Sequence, residues 1–365
     1  MSSPLQSPTT PMEVIQDIFA LLDPKKVLPL KRLCHRINEC LTDPHFAFLN
    51  LQRHLPHEST NRNEIFKPNK YDKLWFFLPP EYQQAYADFG VPKVEKVVWF
   101  QDGVSRPLPK ALNRLKNVTS LSLQGNQIIG SLPDIGSLSK LVHLDINTKL
   151  VRGTLPHSLG LLTNLEELNI HGTLISGSIP VELNNLVKLR ELKLHTNKFT
   201  GEIPDLSALK NLKILSLHDN ALEGPIPASF SSFTSLQELK LEGNKLQQGI
   251  PPSIGCLKSL LHLDLSRNAF CGSIPSEIAE LSQLHTLKLF SNKLDGGLMY
   301  LGKLVNLVEL DLQNNSFQGN IPSSFGNLSH LIRFYISGNS MDMQLPEDMR
   351  RDTRVWQLLS WEGFH

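Results

Sequence analysis

His171, His195 and His218 lie 24 and 23 residues apart, and Glu242 follows 24 residues after the last of them. Imidazoles bind transition metals as neutral ligands and change charge near physiological pH. Brought side by side, these three could meet a metal with Glu242 as a further ligand, or sense pH by repelling one another once protonated. The plain alternative is a set of solvated polar groups on a face that meets a partner. A metal centre is not expected, because side chains projecting in parallel do not converge tetrahedrally without help. Any of these roles requires elements that bring distant positions together at a regular step.

Such elements are legible as a repeat. Aligning one position per unit gives Asp102, Asn126, Lys149, Thr173, Asn197, Asn220, Asn244, Asn268, Asn292, Asn315 and Asn339, which makes 11 units of 23 or 24 residues. A proline stands seven residues later in ten of them, with Met299 the exception. A fixed period of this size is the signature of a stacked solenoid, in which each unit contacts its neighbours only. Composition agrees, since 40% hydrophobic residues with only 7% aromatics, 22 Gly and 24 Pro suit a chain that turns often and buries leucine.

Within each unit, apolar residues alternate ahead of the aligned position, as in Leu212, Leu215 and Leu217. Period two over so few residues predicts one short strand with its leucines inward. Successive strands should stack into a parallel sheet on the concave side, about 4.8 Å apart. The asparagine amides should satisfy backbone groups in the turn after each strand and form a ladder. Glycine four residues on permits a sharp bend, and proline ends pairing and opens an outer segment.

The phrase LxxLxxLxLxxNxLxGxIPxxLGxL, over residues 94–346, is similar to the plant-type leucine-rich repeat. That resemblance implies an α/β solenoid with a parallel concave β-sheet, a binding surface and no catalysis. Residues 51–93 are expected to connect and cap its start, with Trp75, Phe76, Phe77, Tyr82 and Tyr86 around a short helix beginning at Pro79 or Pro80. STNRNEIFKPNKYDK reads as a loop, and residues 347–365 should close the far end through Trp356, Leu358, Leu359 and Trp361.

Residues 1–9 are rich in Ser, Pro and Thr and read as disordered. Over 10–50, Thr10-Pro11-Met12-Glu13 carries the signals of a capped helix start, and apolar spacing predicts three short helices, the last ending before Asp43-Pro44. They bury too little surface to stand alone. Either they cap the solenoid or another protein covers them. PMEVIQDIFALLDPKKVLPLKRLCHRINECLTDPHF resembles an F-box, with Thr10 at the place of the opening leucine and Ile37 at that of the tryptophan. The resemblance implies that Pro11, Val14, Ile15, Ile18, Phe19, Leu22, Pro24, Leu28, Leu33, Cys34 and Ile37 hold the Skp-type adaptor of a cullin ubiquitin ligase complex.

The strand register also sorts outward residues. The middle outward column runs Asn169, Lys193, Ser216, Lys240, Asp264, Lys288, Asp311 and Tyr335. The next holds His171, His195, His218, Glu242 and Phe290. The later charges of the middle column alternate in sign and are expected to pair across strands. Together, Asn169, His171, Lys193, His195, Ser216, His218, Lys240, Glu242, Phe290 and Tyr335 form the expected partner-binding face, the two aromatics serving as anchors.

Net charge is +1, from 36 Lys and Arg against 35 Asp and Glu, so nothing pulls the chain toward nucleic acid or a membrane. Four scattered cysteines suggest reduced thiols. No GxSxG, P-loop, HExxH, dinucleotide fingerprint or CxxC pair occurs, and neither catalytic residues nor a cofactor is expected. The expectation is a cytoplasmic or nuclear substrate receptor of an F-box-type ligase, with catalysis in other subunits. The alternative is a recognition scaffold or receptor-like protein whose N-terminal helices only cap the solenoid; the sequons at Asn117, Asn314 and Asn327 point that way.

Overall fold

The structure, a computed structural model, describes residues 39, 41–54, 64–65, 77–90, 94–99, 105–342, 344–347, 349 and 353–361. The expected disordered start, the adaptor-binding set from Pro11 to Ile37, Trp75 and Phe76 lie outside the described residues. The chain divides into two compact units, residues 1–152 and 153–365.

In the first unit, Asp43 ends one helical stretch and starts another. Its Oδ1 accepts from the backbone N–H of His45 at 2.9 Å and of Phe46 at 3.1 Å, which caps the helix Pro44–His54. That helix runs across the expected boundary at residue 50. Its Phe46 ring meets Tyr82, on the helix Pro80–Ala85, edge to face at 6.2 Å. Tyr82 and Tyr86 are buried as a cap requires, whereas Phe77 is exposed, with the Arg106 guanidinium 5.1 Å above its ring. Asp88 grips Arg114 through two hydrogen bonds, tying this cap to the outer turn of a repeat. Glu64–Ile65, expected in a loop, is a short strand that pairs with Lys96–Val98, followed in parallel by Ser120–Ser122 and His143–Asp145. A loop assignment from composition misses it because two residues carry no periodicity.

The second unit is the regular array. Strands Glu167–Asn169, Glu191–Lys193, Ile214–Ser216, Glu238–Lys240, His262–Asp264, Thr286–Lys288, Glu309–Asp311 and Arg333–Tyr335 pair in parallel and in sequence order. The register does not slip, because the central residue of each, Leu168, Leu192, Leu215, Leu239, Leu263, Leu287, Leu310 and Phe334, is buried on the same side. A one-residue shift would turn every leucine to solvent. Prolines such as Pro156, Pro180, Pro227 and Pro275 sit in extended backbone immediately before short outer 3-10 helices. The helix Arg354–Trp361 packs against the last repeat and buries Val355, Leu358 and Leu359; Trp356 is half-buried, and the Trp361 side chain lies outside the described residues.

The asparagine ladder is as the repeat demands. Asn220 Nδ2 donates to the carbonyls of Leu194, Leu217 and His218 at 3.1, 2.9 and 3.2 Å, while its Oδ1 accepts from Phe199 N at 3.0 Å. Each amide thus closes its own turn and staples the preceding repeat.

After the ladder the chain pairs a second time, in strands such as Lys198–Glu202, Ala221–Gly224, Lys245–Gln248 and Ala269–Ser273, a second parallel sheet that the apolar alternation does not predict. Glycines end several of these strands with left-handed backbone, for example Gly224 at φ +79°. At the equivalent place in the next repeat stands Gln248, at φ +69°. A side chain in that region costs roughly 1–2 kcal/mol, part of which glycine gives back through unfolded-state entropy. Gln248→Gly should therefore stabilise the protein by about 0.5–1 kcal/mol, seen as a higher urea midpoint; an unchanged or lower midpoint would show that the bend carries no strain.

Candidate functional site

The outward face of the long sheet presents the two expected columns, and all ten residues assigned to it lie on that face. Phe290 and Tyr335 are half-buried there, and Ser216 is buried. The charges do not pair as expected. Lys193 bonds Glu191 at 2.5 Å and Lys240 bonds Glu238 at 2.7 Å, each with the glutamate two residues earlier on its own strand. Lys288 reaches Glu309 at 3.1 Å, and Arg333 joins the same carboxylate at 2.8 Å. Asp264 and Asp311 turn instead to the chain two residues on, accepting from Ser266 N at 3.0 Å and Gln313 N at 3.1 Å. The lysine stem reaches a glutamate of the neighbouring column, whereas the short aspartate finds the backbone N–H first. Burial holds the Asp311 carboxyl above its ordinary range.

The histidines do come together. His171 and His195 stack with ring centroids 4.4 Å apart, and His195 and His218 at 4.2 Å with planes only 8° apart. Strand spacing sets this distance, because equivalent positions on neighbouring strands lie under 5 Å apart. The ring bonds are local: His195 Nδ1 lies 3.2 Å from Thr196 Oγ1, and His218 Nδ1 lies 3.0 Å from Asp219 Oδ2 and 3.5 Å from Glu242 Oε1. Face-to-face rings point their nitrogens in parallel. Among the described residues no group of three or more His, Cys, Asp or Glu side chains could hold a metal ion.

Position within the stack controls protonation. Half-burial, then its neighbours His218 and His171, then Lys193 and Lys240, push His195 down to about 4. Glu242 is lifted by burial first and Asp264 second, with His218 opposing, and its Oε2 is buried without a hydrogen-bond partner. For His195 the folded value lies below the ordinary imidazole value of about 6.5. Its contribution to stability is therefore complete above about pH 6.5 and is lost as pH falls toward about 4. Because the ring is half-exposed, roughly 1–2 kcal/mol is expected over that window after solvent screening. Glu242 acts with the opposite sign, so the comparison must be with a variant. His195→Gln should remove most of the fall in urea midpoint between pH 7.5 and 4.5; an equal fall in both proteins would place the effect elsewhere.

One feature of the face carried little signal in the sequence. The residue just before the aligned position is left-handed in repeat after repeat, including Thr196 at φ +56°, Asp219 at +52° and Arg267 at +52°. Such backbone in a β-branched residue is strained and persists where surrounding structure fixes it. Here it stands beside the stacked rings. It also lets Arg267 reach across two repeats to bond Asp219 at 2.9 Å. Two open depressions lie on the surface: about 260 Å³ over the strand residues Lys240, His262, Asp264 and Lys288 in the second unit, and about 700 Å³ over Gln124, Asn126, Asn147 and Lys149 in the first.

Comparison with known proteins agrees with this architecture. Family models described as leucine-rich repeats match residues 164–186, 206–246, 259–281 and 306–328. No F-box match accompanies them. No curated protein sequence matches the chain. Among solved structures, PEPR1-AtPEP1 is 31% identical over 74% of this chain and 41% of that one, with a TM-score of 0.64. The Arabidopsis receptor kinase HAESA, in complex with the peptide hormone IDA and the co-receptor SERK1, is 33% identical over 69% of this chain and 47% of that one, at 0.60. A plant ice-binding protein is 30% identical over 63% of this chain and 75% of that one, at 0.57. The chain thus spans less than half the length of those two receptor structures.

Proposed function

The chain is a leucine-rich-repeat solenoid, and we propose that it is a non-catalytic recognition module that binds a peptide or protein ligand on the outward face of the long sheet between Glu167 and Tyr335. One observation carries this reading. The face holds half-buried groups with no part in the core, the His171–His195–His218 stack and the Phe290 and Tyr335 rings, on a frame whose register cannot slip. The similarity to HAESA in its complex with a peptide hormone supports the same use of the fold. Panning a random heptapeptide display library on the full chain tests it. Selected peptides should lose at least about tenfold in affinity when Ser216→Arg blocks the face, which is the scale expected for obstructing a central contact. They should be unaffected by Glu223→Arg on the second sheet. The reverse pattern would move the site off this face.

The ubiquitin-ligase reading rests on the F-box-like residues between Pro11 and Pro44 alone, and a cytoplasmic or nuclear location belongs with it. Among the described residues no helix is long and apolar enough to cross a membrane. Co-purification with the Skp adaptor, abolished by Ile15→Asp and Leu22→Asp, would support this reading; no co-purification would sink it.

A further inference from the structure

The stacked histidines are surrounded by charge of one predominant sign. Glu167, Glu191, Glu238 and Glu242 lie on the sheet face around them, and Asp219 adjoins His218. The cations among them, Lys193, Lys240 and Arg267, are each already bonded to a carboxylate, Glu191, Glu238 and Asp219 respectively. An anionic ligand would have to displace an existing ion pair to find a cation here. A cationic ligand meets instead the Glu242 carboxylate, which pairs with none of these cations.

The rings favour the same sign. A carboxylate can only accept, so the 3.0 Å contact from His218 Nδ1 to Asp219 places the proton on Nδ1 of the neutral ring and leaves Nε2 as an acceptor. His195 stays uncharged at neutral pH, held so by burial and by the positive groups near it. Next to them is Glu242, with Oε1 3.5 Å from His218 Nδ1 and Oε2 buried and unpartnered. An unpaired buried carboxylate oxygen is costly, and a charged donor that reaches it recovers that cost. The stack, the tautomer and the unpartnered oxygen therefore ask for a hydrogen-bond donor that carries positive charge.

We propose that the ladder His171–His195–His218, closed by Glu242, is a subsite for a guanidinium or ammonium group of a basic peptide, with binding released by acid. This deepens the recognition reading of the same face and rests on it. At neutral pH the rings accept and the carboxylate attracts. In acid Glu242, held above its ordinary range by burial, takes a proton and loses its charge, and near pH 4 His195 becomes a cation that repels the ligand. Asp264, which faces Glu242, and the paired lysines Lys193 and Lys240 shift where this happens and leave its direction unchanged.

Fluorescein-labelled tetra-arginine, tetra-glutamate and tetra-glycine peptides, titrated with the full chain and followed by anisotropy, test it. At pH 7.5 tetra-arginine should bind and the other two should not. Glu242→Gln should weaken tetra-arginine at least about fivefold, the scale of one lost charge-assisted hydrogen bond. Lowering the pH to 4.5 should weaken it severalfold as Glu242 takes a proton, and Glu242→Gln should flatten that dependence; His195→Gln, which removes the central ring of the stack, should weaken binding at both pH values. Tighter binding of tetra-glutamate, tighter tetra-arginine binding in acid, or indifference to both substitutions would overturn the proposal. Should no tetrapeptide bind while library-selected peptides remain sensitive to Ser216→Arg, the cationic subsite fails and recognition on this face stands. If the selected peptides are insensitive as well, both fail.

Discussion

Asn244→Ala should destabilise the protein by about 3–5 kcal/mol, the scale of four hydrogen bonds lost together with one backbone N–H left unpaired. Asn244 Nδ2 donates to the carbonyls of Leu217, Leu241 and Glu242 at 3.1, 3.0 and 3.4 Å, and Oδ1 accepts from Leu222 N at 3.0 Å. Alanine removes the amide and leaves the Leu222 N–H without its acceptor in a turn packed against Leu217 and Leu241, both fully buried, while the Leu217, Leu241 and Glu242 carbonyls each keep one bond, from Asn220 Nδ2, Asn268 Nδ2 and Asp219 N. Solvent cannot replace all four bonds without opening the stack. Asn244→Asp is the sharper control: it keeps the acceptor for Leu222 N but sets a negative charge against the same carbonyls, so it should be at least as damaging. Urea unfolding followed by circular dichroism measures both. A loss below about 1 kcal/mol for alanine would mean that water supplies these bonds and that the ladder is decorative. The substitution also tests coupling to function, since Glu242 O is one of the carbonyls held. Even where the protein remains folded, weaker peptide binding by Asn244→Ala is expected.

What made the ladder legible is that its chemistry needs one residue type at one phase. Asparagine has both a donor and an acceptor on a short stem, so it recurs, and Lys149 and Thr173 stand out as interruptions. At Thr173 the hydroxyl and the backbone N–H both donate to Asn197 Oδ1, which keeps that turn connected to the following repeat. The histidine stack was legible for the same reason of phase: one register places His171, His195 and His218 in one column, and strand spacing does the rest. The left-handed row beside it was less so: glycine marks it at Gly125, Gly172, Gly243 and Gly338, but Thr196, Asp219, Arg267 and Ser291 take the same backbone and share no side-chain chemistry. The second sheet was hidden because its strands are short and begin beyond the ladder, where the only pattern is a single inward residue such as Leu222 or Leu246. The charge alternation misled for a reason of reach. Adjacent strands are near enough for pairing, but Lys240 finds Glu238 two residues back and Asp264 finds Ser266 two residues on, and both bonds form within one strand or turn.

Gly255→Ala should cost about 2–3 kcal/mol, the scale of overpacking against a backbone that cannot easily withdraw. Gly255 lies in the outer 3-10 helix Pro252–Cys256, and a Cβ built there would come within 2.5 Å of the Glu277 carbonyl oxygen and 2.8 Å of Glu277 Cβ. No rotamer relieves a contact with a main-chain oxygen, so the outer turn of one repeat must move away from the next. That movement is opposed by the fully buried Leu257 and Leu260 just beyond the helix. The same close approach occurs at Gly160, where the Glu182 carbonyl oxygen would be met, so Gly160→Ala is expected to behave alike. Gly272→Ala provides the contrast, because nothing lies within 4 Å of its Cβ and only its left-handed backbone, φ +74°, resists the change. Its cost should be about 1–2 kcal/mol from that conformation alone. If urea midpoints rank Gly272→Ala as the more damaging, the outer turns are looser than their contacts imply, and the rigidity of the binding face must come from the asparagine ladder and the long sheet without them. If Gly255→Ala is the more damaging, the outer helices share in holding that face, and a substitution on the far side of a repeat should weaken peptide binding in proportion to its loss of stability.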